Sequence, residues 1–195
     1  MNKKFADLTI CDAFLLSKIM RNERVAKRFL EKITNMKVYK IDADKNNTVE
    51  YREGTNGIRL TVHIANVLKS IWKVELYILK EDIFGQGKSI YHFAEQCRGI
   101  PTLELQKGAH RIFICATPET LEKTGDAELQ ALVAYILNCE EKRSNLTKML
   151  DDEVRRVKHN SIYVKEYQRI QQEAVEASQR EYARRRQGKS VYIKR

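Results

Sequence analysis

Apolar residues recur at helical spacing in two early stretches of the chain. Phe14, Leu15, Leu16, Ile19 and Met20 form one stripe, and Thr9-Ile10-Cys11-Asp12 ahead of them fits a capping box. Val25, Phe29, Leu30 and Ile33 form a second stripe, with Asn22 placed to cap it. The period then changes. Val38 and Ile41 with their neighbours predict a strand of roughly seven residues. Asn46-Asn47 and Gly54-Thr55-Asn56-Gly57 mark a loop. Ile58, Leu60, Val62 and Ile64 alternate with Arg59, Thr61, His63 and Ala65, which predicts a half-buried strand. Ile71 to Leu79 predicts a more apolar strand that pairs with it as a hairpin. Asp82-Ile83-Phe84-Gly85-Gln86-Gly87 reads as a loop, residues 89–97 as another strand, and Arg111 to Thr117 as a buried one. Asp126 caps a helix carrying Leu129, Leu132, Val133, Ile136 and Leu137. From Asn145 to about Gln187 the pattern predicts one charged helix, ended by Gly188.

Helices, then strands, then helices imply an α/β or α+β body. No internal repeat is present. Residues 1–144 are expected to form that body, and 145–195 a charged helical extension. A hydrophobic fraction of 43% and a charged fraction of 32% suit a soluble globular chain. No apolar run approaches the roughly 20 residues needed to span a bilayer, so no membrane partner is expected. The first residues carry lysines but no apolar core after them, so a cytoplasmic location is expected. Cys11, Cys97, Cys115 and Cys139 are far apart and lack the paired spacing of a zinc site. They read as reduced, mostly buried thiols. The histidines are equally scattered.

The net charge of +10 is concentrated at one end: residues 180–195 hold seven cations against Glu181 alone. Arg184, Arg185, Arg186 and Lys189, beside Tyr182 and Tyr192, are candidate phosphate contacts for sequence-independent DNA binding. The alternative is a solvated helix end. The long helix also offers a surface for self-association, although its apolar stripe is too irregular to define a coiled coil.

Several short segments, taken in order, carry a family resemblance. They are Thr9-Ile10-Cys11-Asp12 with Lys18-Ile19-Met20, Gly57-Ile58-Arg59-Leu60, Asp82-Ile83-Phe84-Gly85 and Arg111-Ile112-Phe113-Ile114, followed by the charged tail. Together they resemble the PD-(D/E)XK nuclease family transposases, or recombination-promoting nucleases, across most of residues 5–180. The resemblance implies a restriction-endonuclease-like core: N-terminal helices and a small mixed sheet, here with a long C-terminal helical tail. It also implies Mg²⁺-dependent DNA cleavage. In such a core an aspartate on one strand and a Glu-x-Gln or Glu-x-Lys on the next hold the ion. The ion lowers the pKa of a water and offsets charge on the phosphate.

By that resemblance, Thr61 occupies the aspartate position, and a neutral hydroxyl cannot replace an anionic ligand. Glu75 matches the glutamate and is the candidate catalytic and metal-binding residue, but Tyr77 stands at the third position. Family members also carry a helix and a further strand between the glutamate and the Asp-x-Phe-Gly loop, so an internal deletion is inferred and the alignment of Glu75 stays open. Glu75 also reads as the solvent-side residue of a half-buried strand. Asp12 reads as a capping residue, Asp82 as a turn acceptor, Glu53 as a solvated loop acid and His63 as a surface histidine. Two functions follow. One is an active Mg²⁺ nuclease in which another acid substitutes for the lost aspartate. The other, favoured, is a cofactor-free relative that binds DNA or pairs with an intact relative.

Overall fold

The computed structural model describes residues 3–41, 49–51, 57–65, 71–95, 97–100, 109–138 and 144–191. The chain divides into two units: Leu8–Val157, and Met1–Asp7 with Lys158–Arg195. The larger unit is a mixed α/β fold.

Helix α1 (Ala13–Ile19) begins at Asp12, and α2 (Glu23–Thr34) begins at Asn22. Asn22 caps α2 as its side-chain type predicts, accepting a hydrogen bond from the Val25 N–H. The expected box at α1 is displaced. The Asp12 side chain does not cap the helix. It accepts from the N–H and hydroxyl of Thr9 at 2.7 and 3.1 Å, so it fastens the turn that enters the helix. Leu15, Leu16, Ile19, Phe29 and Leu30 are fully buried, which places both predicted stripes in the core.

Among the described residues six strands follow: β1 (Lys40–Ile41), β2 (Val49–Tyr51), β3 (Gly57–Ala65), β4 (Ile71–Leu79), β5 (Ile90–Ala94) and β6 (Ala109–Cys115). The sheet order is β1-β3-β4-β6-β5, and β2 also pairs with β3. β3 and β4 form the expected antiparallel hairpin, in register along their full length. β4 and β6 are parallel, and β5 returns antiparallel to β6 at the sheet edge. The strand expected around Val38 shrinks to the two residues of β1. Val38 is buried instead in the connection, where its N–H donates to Glu31. The loop residues Asn46, Asn47, Glu53, Gly54, Thr55 and Asn56 lie outside the described residues.

One face of the sheet is the core face. Ile64, Val74, Leu76, Ile78, Ile112 and Ile114 are each at most 1% exposed there. α3 (Pro118–Lys123), α4 (Ala127–Ile136) and α5 (Asn145–Lys158) complete the unit. Asp126 caps α4 through the Leu129 N–H at 2.8 Å, and α5 buries Leu146, Leu150, Val154 and Val157. The expected continuous helix from Asn145 is therefore two helices. α5 belongs with the body, and α6 (Ser161–Val191) begins after Asn160, whose side chain accepts from the Ile162 N–H. α6 runs through Gly188, which does not end it. In the smaller unit Phe5 packs on Tyr167, and Tyr167 and Gln171 both donate to the Lys3 carbonyl. Among the described residues no helix is long and apolar enough to cross a membrane.

Candidate functional site

Strand alternation decides which residues meet on the other face of the sheet. Side chains two apart on a strand share a face, and directly paired residues on neighbouring strands share it too. Pairing sets Thr61 opposite Glu75, Glu75 beside Arg111, and Arg111 opposite Phe93. A hydroxyl, a carboxylate, a guanidinium and a phenyl ring thus form one row across four strands. His63 and Lys73 form the next row on one side; Tyr77, Phe113 and Tyr91 form the next on the other. The candidate positions Thr61 and Glu75 are therefore adjacent-strand neighbours.

Both are buried, at 7% and 6% exposure. Glu75 is not a solvent-side residue, because long neighbours close over it. Its Oε1 lies 2.7 Å from Lys73 Nζ. Its Oε2 lies 3.3 Å from Arg111 Nε and accepts from the Tyr77 hydroxyl at 3.4 Å. Lys73 and Arg111 keep their outer ends in water, with side chains 45% and 61% exposed. One buried anion is thus shared between two half-exposed cations.

The Mg²⁺ implied by the resemblance needs several hard, anionic oxygens around one point. Glu75 is the one acidic residue in β3, β4, β5 and β6, and both of its oxygens already face cations. Thr61 adds only a neutral oxygen, and Tyr77 turns its hydroxyl toward the same carboxylate. Among the described residues no three His, Cys, Asp or Glu side chains gather closely enough to hold a metal ion. These residues do not fit a divalent cation.

The Asp82 loop is built from its own sequence. Gly85 and Gly87 both have φ of +67°, a conformation that favours glycine. Asp82 accepts from the Phe84 N–H at 3.1 Å, the Gly87 N–H at 2.7 Å and the Tyr91 hydroxyl at 2.9 Å. Burial raises its carboxyl pKa, but the bonds from Tyr91, Gly87, Phe84 and Gly85 together outweigh that and hold it below the usual range. The turn role expected for Asp82 is thus present and larger than one bond. The loop sets Phe84 against Tyr91, Phe93 and Phe113.

The remaining candidates lie on separate elements of the chain. Asp12 serves the α1 entry, and His63 is half-buried beside Lys73. Arg184 is exposed on α6; Arg185, Arg186 and Lys189 continue that helix. Lys73, Tyr77 and Arg111 are the partners of Glu75; the resemblance marks Tyr77 only as the residue at the third position, and marks neither Lys73 nor Arg111 as a partner. The period of two in Lys73-Val74-Glu75-Leu76-Tyr77 is signal enough for the first two. Arg111 carries no local signal, since only the parallel register of β4 and β6 brings it near. Glu153 is a further residue that the charged-helix pattern hides. It is 4% exposed, accepts from the Asn22 amide at 2.8 Å and pairs with Arg156. Compared with protein-family models, curated proteins and solved structures, the chain matches none.

Proposed function

We propose that this chain is a non-catalytic, nucleic-acid-binding relative of the PD-(D/E)XK nuclease family, in which the former metal glutamate serves as a structural anion. The observation that carries this reading is the surrounding of Glu75: Lys73 and Arg111 on its two oxygens and Thr61 opposite. A metal ion placed there would meet two positive charges in place of a second carboxylate. The cations do for the carboxylate what the ion does in an active relative. DNA is the partner this reading assigns, held through phosphates by the arginines of α6, in keeping with the net charge of +10.

The test is plasmid nicking by the full chain with Mg²⁺ or Mn²⁺, alongside duplex retention measured across salt concentrations. No nicking is expected, and none from Thr61→Asp, because Lys73 and Arg111 remain. Changing Arg184, Arg185, Arg186 and Lys189 together to Gln should flatten the logarithmic salt slope by roughly 0.9 for each phosphate no longer neutralised. Nicking that Glu75→Ala abolishes would overturn the non-catalytic reading. An unchanged slope would remove the tail from the binding site.

A further inference from the structure

The polar face of the sheet carries a feature that its packing does not account for. Phe93 is 45% exposed on an edge strand, at the end of the Thr61–Glu75–Arg111 row. Its ring stands at 90° to that of Phe113, 5.7 Å away, and contacts Phe84 at 5.2 Å. Phe84 and Phe113 are half-buried and Tyr91 is tied to Asp82, so these rings belong to the fold. Phe93 keeps nearly half its surface in water. Its cross-strand neighbour is Arg111, and Lys73 lies one strand further, both with exposed side chains.

We infer that this face binds single-stranded nucleic acid, with one unpaired base on the ring of Phe93 and its flanking phosphates at Arg111 and Lys73. The inference deepens the nucleic-acid reading above and rests on it. The chemistry is that of a stacking platform beside cations. An aromatic face accepts any base, and adjacent cations take the backbone. A duplex hides its base faces, so the aromatic contact selects unpaired nucleotides. Glu75 contributes as a positioning residue. Buried beneath Lys73 and Arg111, it holds both head groups over the sheet without covering their outer sides. Two exposed cations against one buried anion leave the row positive, which complements a phosphate backbone.

The experiment is fluorescence anisotropy of the full chain with a labelled oligothymidine and a duplex of equal length, at low and moderate salt. Phe93→Leu keeps an apolar side chain against Phe84 and Phe113 but removes the ring face; Phe93→Trp keeps a ring. The single strand is expected to lose roughly ten-fold in affinity with Phe93→Leu and little with Phe93→Trp, while duplex binding stays unchanged. Lys73→Gln should reduce the salt slope for the single strand. If Phe93→Leu binds the single strand like the parent while duplex binding persists, this inference falls and the tail reading stands. If neither nucleic acid binds the parent, both fall. Thermal unfolding of Phe93→Leu close to that of the parent excludes a folding effect.

Discussion

Glu75→Gln separates a structural anion from a metal ligand, because glutamine keeps the volume and one acceptor while removing the charge. The size of the effect follows from exposure. A hydrogen bond to a charged group contributes about 1.5–3 kcal/mol, whereas a solvent-exposed ion pair contributes about 0.2–1 kcal/mol. Glu75 is 8% exposed at its side chain, but Lys73 and Arg111 are 45% and 61% exposed. The two interactions together therefore fall between those limits, at roughly 1–2 kcal/mol. In a unit of this length each kcal/mol moves the melting temperature by about 2–4 °C, so the variant should melt roughly 2–8 °C lower. The assay is thermal unfolding followed by far-ultraviolet circular dichroism, with and without Mg²⁺ or Mn²⁺ at matched ionic strength. A ligand that binds only the folded state adds about 2.7 kcal/mol at one hundred times its Kd. A metal site would therefore raise the parent's melting temperature by roughly 5–10 °C under such loading. No metal-dependent rise is expected in either protein. A rise of several degrees in the parent that disappears in Glu75→Gln would refute the reasoning. So would a metal-free variant more stable than the parent, which is the behaviour of a carboxylate held among repelling acids.

Two further outcomes follow from the same geometry. Asp82→Ala should loosen the Gly85–Gly87 loop at a cost of about 2 kcal/mol, because several donors are deprived of one charged acceptor. Since the folded state holds the Asp82 carboxyl below its ordinary value of 3.8, its contribution is fully present above that pH. It is lost as pH falls through the folded value, so acid unfolding of the parent should begin at lower pH than that of Asp82→Ala. Coincident acid transitions would contradict this. Cys97 is exposed, whereas Cys115 is fully buried and its thiol is pushed up to about 11, first by burial and then by the charges of Asp82 and Glu81. A thiol-disulfide reagent at neutral pH should label Cys97 quickly and Cys115 only as the protein unfolds. Equal rates in a mapped mass-spectrometric time course would show that the β6 end opens readily.

Most of the scaffold is legible in the order of residues because local rules decide it. The stripes of α1 and α2, the Asn22 and Asp126 caps and the β3–β4 hairpin all follow from spacing and capping chemistry. Where structure and pattern part, the causes are specific. Gly188 signals a stop because glycine favours a helix end, yet a single glycine costs only about 1 kcal/mol inside a helix, and α6 runs through it. The break at Asn160 is hidden because neither proline nor glycine marks it. The asparagine side chain instead caps the next helix. Val38 reads as strand from its apolarity, which is equally satisfied by burial in a connection. The sheet site is half legible, since the order of residues points to Thr61, Glu75 and Tyr77 on β3 and β4. Their neighbours on β6 and β5 depend on strand pairings across long sequence separations, and no local spacing encodes them.

The core face fixes the register on which the opposite face depends. Register along β3, β4 and β6 is fixed where Ile64, Val74, Leu76, Ile78, Ile112 and Ile114 pack, since a slip of one residue would expose them all. Substitution on the polar face therefore leaves the strands aligned. Two carboxylates directly opposite each other would lie about 5 Å apart. At an effective dielectric constant of about 20 they would repel by roughly 3 kcal/mol unless a cation sat between them. Threonine at position 61 brings no such repulsion, and Lys73 and Arg111 supply positive charge to Glu75. The sheet then needs no ion to satisfy Glu75, and the exposed cations are left facing solvent beside Phe93, where a phosphate can reach them.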